Sequence, residues 1–205
     1  MQTIPASPQS NTQGGYTIVE LSIALTIIGI LIVAGLAGVN SLLVSSKANS
    51  QIEDSGRTLA KLQAFVSSTA STPSLNTNAG VGLGLFTGTR VTGTQPSQVV
   101  ANAFGGSEIV STNADATTHG ITANTGAIYT LTNIPKASCP DLITSLSTLA
   151  DQVFINTVTP APTSGSGITA SSVSVKSSGG TPNLSTVGNE CTKANLISLQ
   201  FALKP

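Results

Sequence analysis

Gly14-Gly15-Tyr16-Thr17-Ile18-Val19-Glu20-Leu21 opens an apolar run that continues to Val39. From Leu21 to Ser46 no residue is charged, and most of Leu21 to Val39 is Leu, Ile, Val, Ala or Gly. Such a run predicts a helix long enough to cross a bilayer core of about 30 Å. One carboxylate, Glu20, stands at its edge. An acid held near hydrocarbon is costly unless it is paired, so a partner is expected. A cut after Gly15 would create an amine at Tyr16, roughly one helical turn from Glu20 and within reach of a neighbouring copy. Glu20 taken alone fits equally well a plain anchor whose first interfacial residue is acidic.

The pattern as a whole is more specific. A short polar leader ending in glycine, an aromatic residue, a glutamate at the fifth position and then about twenty apolar residues closely resemble the processing site and N-terminal helix of type IV pilins. The resemblance implies that residues 1–15 are a leader removed by prepilin peptidase, with cleavage between Gly15 and Tyr16 and N-methylation of Tyr16. It makes Glu20 the assembly glutamate. It also implies an α+β type IV pilin fold, in which a long N-terminal helix of about 50 residues packs by its C-terminal half on an antiparallel β-sheet head. The implied partners are further copies of the chain in a helical homopolymer, prepilin peptidase, an inner-membrane pilus assembly machinery, and the inner membrane itself. The expected course is single-pass residence in that membrane before assembly, then an extracellular pilus.

Two features refine this expectation. Residues 1–15 contain no Lys or Arg, whereas pilin leaders usually carry one before the glycine, so the orientation signal is weak. The leader also lacks the basic start and apolar middle of a Sec-type signal; the apolar segment lies after the proposed cut and is retained. Gly29, Gly35 and Gly38 lie in the run, each costing up to about 1 kcal/mol against alanine in a helix. They are candidates for local helix melting or close helix approach. Many pilins have a proline at the position of Ala37, and its absence beside these glycines looks more like the type IVb branch.

Composition sets outer bounds. The 205 residues leave roughly 150 outside the membrane, enough for one head. Charged residues are 8% of the chain, with eight acids balancing eight bases, so no electrostatic footprint points to nucleic acid. Abundant Ser, Thr, Asn and Gly beside ample Val, Ile and Leu favour a folded head covered with short neutral polar side chains. In an exported chain the two cysteines, Cys139 and Cys191, read as a disulfide closing a loop worth about 4 kcal/mol in chain entropy. Metal binding would need further ligands, and the single histidine, His119, has no partner at a ligand spacing, so neither metal nor cofactor is expected.

Beyond the membrane the helix becomes amphipathic. Ile52, Leu59, Leu62 and Val66, with Leu43 and Phe65 near the same stripe, recur at helical spacing, while Lys47, Glu53, Asp54, Arg57 and Lys61 fall largely elsewhere. The Ser/Thr-rich stretch with Pro73 should end it. The expected organisation is thus 16–40 hydrophobic transmembrane and fibre-core helix, 41–72 amphipathic half of the same helix, and 73–205 globular head with a C-terminal disulfide region.

Within the head, residues 76–118 read as a loop with short strands. The run Gly80-Val81-Gly82-Leu83-Gly84 is no nucleotide loop, since no strand precedes it and no Lys-Ser or Lys-Thr follows. Ala127-Ile128-Tyr129-Thr130-Leu131-Thr132 predicts a strand. Pro140 and Asp141 suit the first turn of a short helix through Leu142, Leu146, Leu149 and Val153. Strands are expected from Gly167 to Val175 and through Ile197, Leu199, Phe201 and Leu203, where alternation is clearest. The segment from Ile134 to Leu142 and the late Cys191 resemble type IVb pilins of the conjugative thin-pilus kind.

No catalytic constellation is present: His119 has no nucleophile pattern around it, and Asp141 and Asp151 are not an adjacent pair. The leading expectation is a non-enzymatic major subunit of a type IV, type IVb-like pilus serving adhesion or conjugative mating. A minor pilin or type II secretion pseudopilin is the alternative within the same resemblance. A single-span anchored periplasmic enzyme or binding module is the reading from another class, and it requires no cut at Gly15.

Overall fold

A computed structural model describes residues 15–69, 72, 75–86, 90–112, 124–157 and 172–205, without the side chain of Ala37. Residues 1–14, Pro73, His119 and the first part of the strand expected from Gly167 lie outside the described residues. The chain forms two compact units, one up to Leu42 and one from Leu43 to Pro205.

Helix α1, Ile18–Ser68, contributes to both units. In the first, its side chains are exposed on every face: Ile18, Leu21, Ile23, Leu25, Ile27, Ile28, Ile30 and Leu31 all stand more than half open. It is long and apolar enough to cross a membrane. A helix apolar all round has no wet face, so it needs lipid or other helices.

In the second unit α1 is one wall of the core. Leu59, Leu62 and Val66 are fully buried, with Ile52 and Phe65 packed beside them. Each fully buried Leu contributes about 1.5–3 kcal/mol of burial energy. Leu43, expected on this stripe, is instead exposed, because the buried face at that end of the helix is Ala48 with the polar Gln51, Ser55 and Thr58. Arg57 and Glu53 pair on the open surface, where such pairs add little. The helix ends at Ser68, slightly before the boundary expected at residue 72.

Among the described residues seven strands form one sheet: β1 (Val91–Thr92), β2 (Val99–Ala101), β3 (Ser107–Thr112), β4 (Ala127–Pro135), β5 (Gln152–Asn156), β6 (Val173–Lys176) and β7 (Leu196–Leu203). Their order is β1-β2-β3-β4-β7-β5-β6, with every neighbouring pair antiparallel. The C-terminal strand is therefore central. Both faces of this alternating strand are covered: Ser198, Gln200 and Ala202 are buried as well as Ile197, Leu199, Phe201 and Leu203. The second set faces the main core; on the other face Ala202 joins Ile128 and Phe154 in a smaller apolar cluster. Gly126 permits the tight edge of this pairing, since a Cβ there would stand 2.2 Å from the Leu203 carbonyl oxygen.

Two segments differ from the sequence reading. Residues Thr77–Gly82 form α2 and not a strand or open loop, because the Asn76 side chain accepts from the Ala79 N–H and starts a turn of helix. Strand β3, Ser107-Glu108-Ile109-Val110-Ser111-Thr112, joins β1 and β2 as the short strands expected in this stretch. Helix α3 (Cys139–Leu146) begins as expected with Pro140 and Asp141 in its first turn, but ends in a 3₁₀ turn, Ser147–Leu149. Val153 is thus a residue of β5, paired with Phe201, and not a fourth helical position. The Lys176 ammonium donates to the Ser147 and Ala150 carbonyls, both at 2.6 Å, and closes this end of the helical segment.

Helix α4 (Leu184–Thr192) is capped by Asn183, which accepts from the Thr186 N–H. Its Cys191 is bonded to Cys139 at the start of α3, with Cα atoms 5.8 Å apart, and both cysteines are buried. The expected disulfide is present.

Candidate functional site

Gly15, Tyr16 and Thr17 precede α1, and all three are exposed. Thr17 is the cap of the helix: its carbonyl accepts from the Leu21 N–H, the first intrahelical bond. Its hydroxyl oxygen accepts from the Glu20 N–H at 3.3 Å, while Glu20 Oε2 accepts from the Thr17 N–H at 3.2 Å and from the Thr17 hydroxyl at 3.1 Å. This is a capping box, Thr-x-x-Glu, which satisfies two N–H groups that the first turn leaves unpaired. The sequence reading gives Glu20 an assembly role with a partner amine and no role within its own helix. The Thr-Ile-Val-Glu spacing was the signal for its local role.

Beyond this turn the helix is unbroken through Gly29, Gly35 and Gly38, and a Cβ at any of the three would meet nothing within 4 Å. Ser22 and Thr26 turn their hydroxyls onto the carbonyls of Val19 and Ser22, so neither presents an unpaired donor on the apolar surface.

The head holds a polar cluster that hydrophobic periodicity does not reveal. Gln51 of α1 uses its whole amide: Nε2 donates to Ser55 Oγ and Glu108 Oε1, each at 2.8 Å, and Oε1 accepts from the Ala103 N–H at 2.7 Å and from Arg90 at 3.2 Å. Glu108 Oε2 accepts from the Tyr129 hydroxyl at 2.8 Å, and that hydroxyl lies 3.0 Å from Ser55 Oγ. Arg90 also pairs with Asp54 at 2.9 Å. Burial pushes the Glu108 carboxyl above its ordinary range, against the opposing pull of Gln51, Tyr129 and Arg90. Burial first, and then the Glu108 charge, push the Tyr129 phenol well above its ordinary value. The cluster ties α1, β3, β4 and the strand entry at Arg90 together.

Among the described residues no group of three or more His, Cys, Asp and Glu could hold a metal ion. Asp141 lies in the first turn of α3, whereas Asp151 precedes β5 and pairs with Lys204 at 3.2 Å, so the two are not brought together.

Residues 10–36 match the prokaryotic N-terminal methylation motif. The structure is similar to the type IVb pilin from Salmonella typhi, with a TM-score of 0.51 and 18% identity over 77% of this chain and 99% of that one. It is also similar to TcpA, a type IV pilin from Vibrio cholerae El Tor, with a TM-score of 0.50 and 14% identity over 77% of this chain and 98% of that one. No curated protein sequence matches the chain. Identities this low establish likeness of fold.

The fold is that of the type IV pilins, a long N-terminal helix with an antiparallel sheet, as the sequence led one to expect. The methylation motif of prepilins on the same chain supports a type IV pilin, and the first of the two neighbours is of the IVb branch.

Proposed function

We propose that this chain is the major structural subunit of a type IV pilus of the IVb kind, forming a surface fibre for adhesion, conjugative mating or both. It is made as a prepilin whose leader, 1–15, is cut between Gly15 and Tyr16 by prepilin peptidase, after which Tyr16 is N-methylated. Segment 16–40 spans the inner membrane and then enters the fibre core; 41–72 carries the helix into the head, 73–205. An inner-membrane assembly machinery extracts the subunit and adds it to the fibre.

One observation carries this reading: the methylation motif lies on a helix whose first turn holds Glu20 and whose apolar side chains are exposed all round. Moving such a helix from lipid to other helices gains little hydrophobic energy, so registry must come from close packing and from Glu20 meeting the Tyr16 amine of a neighbour. Gly29, Gly35 and Gly38 supply points where backbones approach or the helix melts on assembly. The disulfide-closed heads then form the outer surface.

Abundance in filaments sheared from cells tests this. A major subunit dominates the sheared material by mass. A trace component found beside another, dominant pilin is instead a minor pilin, and one confined to the envelope is a pseudopilin.

A further inference from the structure

Glu108 is a carboxylate that hydrophobic assembly does not require. It is buried, at 3% exposure, on a strand face where neighbouring positions are apolar, so it must be there with its partners or at a cost. The charged groups around it compensate it incompletely. Arg90 Nη2 makes its short contact to Asp54 Oδ2 at 2.9 Å, leaving Nη1 4.0 Å from Glu108 Oε1. Tyr129 from β4 and Gln51 and Ser55 from α1 complete the surroundings; Arg90, Asp54 and Tyr129 are the titratable groups that face the carboxyl among the described residues.

The two hydroxyls are arranged in series. Tyr129 O–H donates to Glu108 Oε2, and either Tyr129 or Ser55 can be the donor across the 3.0 Å contact between them. Ser55 Oγ already accepts from Gln51 Nε2. With Glu108 ionised, Ser55 donates to Tyr129 and Tyr129 donates to the carboxylate. With a proton on Oε2, that O–H donates to the Tyr129 oxygen and Tyr129 turns its hydrogen to Ser55 Oγ. The oxygen has two lone pairs for its two donors, and the released Ser55 hydrogen can turn to a carbonyl of the preceding helical turn. One proton is taken from solvent, two hydroxyl rotors reverse, no heavy atom moves, and Gln51 keeps its bond to Oε1.

We propose that Glu108, Tyr129 and Ser55 form a reversible proton relay, through which the head takes up one proton as pH falls without breaking the network that ties α1 to the sheet. The relay leaves the Glu108 carboxyl and the Tyr129 hydroxyl with hydrogen-bond partners in both forms. Burial of the carboxyl favours the neutral form.

The test is a pH titration of the Glu108 side-chain carboxyl by ¹³C NMR, on full-length protein in detergent micelles, for wild type, Ser55→Ala and Tyr129→Phe. The wild-type midpoint is expected above that of an ordinary glutamate. Ser55→Ala removes the acceptor to which Tyr129 hands its hydrogen, so the protonated form is penalised and the midpoint falls by about half a pH unit or more. Tyr129→Phe removes a partner of both forms; its bond to the ionised carboxylate is the stronger, so the midpoint rises, but by less than about half a pH unit. A Tyr129 that serves only the ionised form gives a different pattern: Tyr129→Phe raises the midpoint by about one to two pH units, and Ser55→Ala raises it or leaves it unchanged. Either result, or a carboxyl that stays ionised until the head unfolds, overturns the relay.

Discussion

Thr17 and Glu20 cap one another: the threonine hydroxyl takes the glutamate N–H while the carboxylate takes the threonine N–H and O–H. Before assembly, Glu20 therefore already has hydrogen-bond donors from its own chain. In the proposed fibre a neighbour's Tyr16 amine would add to or replace these bonds, and the charge it brings is what a second amide donor cannot supply.

This separates two roles of one carboxylate. Glu20→Gln retains a capping-box acceptor at the third helical position, whereas Glu20→Ala removes it. Both variants should remain in the membrane, and both should lower the yield of sheared fibre by roughly tenfold or more, as expected for loss of a charge-assisted bond. Immunoblots of sheared and membrane fractions read this directly. Normal fibre yield from Glu20→Gln would show that capping, not charge, is the contribution of Glu20.

Thr17→Ala loses the other half of the box. It should cost about 1 kcal/mol at the helix start, seen as roughly fivefold faster hydrogen exchange at Glu20 and Leu21 in micelles. Amides beyond the first turn should be unaffected.

Reduction of the Cys139–Cys191 bond, or the double change to serine, releases a loop closed over a separation of 52 residues. The expected loss is about 4 kcal/mol in chain entropy, lowering the melting temperature of the head by on the order of 10 °C. Thermal circular dichroism with and without reductant measures it.

Leu62→Ala, at a fully buried position against the sheet, should destabilise the head by about 2–5 kcal/mol. Leu43→Ala, at an exposed position, should leave the head's melting temperature unchanged.

For Glu108 the sign of the pH dependence runs opposite to that of a salt-bridged acid. Its carboxyl is raised in the folded head, so protonation adds stability that is fully present below the ordinary glutamate range and is lost as pH rises through the folded value. Glu108→Gln carries no such charge. Its melting temperature relative to wild type should therefore be higher at pH 8 than at pH 5, by about 2–4 °C for each kcal/mol involved. A gap that widens on acidification would contradict this sign.

The parts of the fold written locally were legible. Leu21 to Val39 is an uncharged, largely apolar run, Leu59, Leu62 and Val66 keep a helical period, and Pro140 and Asp141 mark a helix start. What sequence did not show was long-range. Nothing in Leu196–Leu203 says that the last strand lies between β4 and β5, because its place depends on partners distant in the chain. Val153 kept a helical spacing from Leu149 by coincidence, while its burial comes from pairing with Phe201. Glu108 was invisible as a core residue because a carboxylate reads as surface until Gln51 and Tyr129 are seen beside it. The N-terminal candidates Gly15, Tyr16 and Glu20 came from a short motif that the methylation-motif match covers.

The most direct measurement is the intact mass and N-terminal sequence of the protein recovered from filaments sheared off cells. A processed pilin gives a chain beginning at Tyr16, heavier by the net CH2 of one N-methylation and lighter by the two hydrogens of the Cys139–Cys191 bond. A chain beginning at Met1 and found only in membranes would contradict it, and would make the protein an anchored one that builds no fibre.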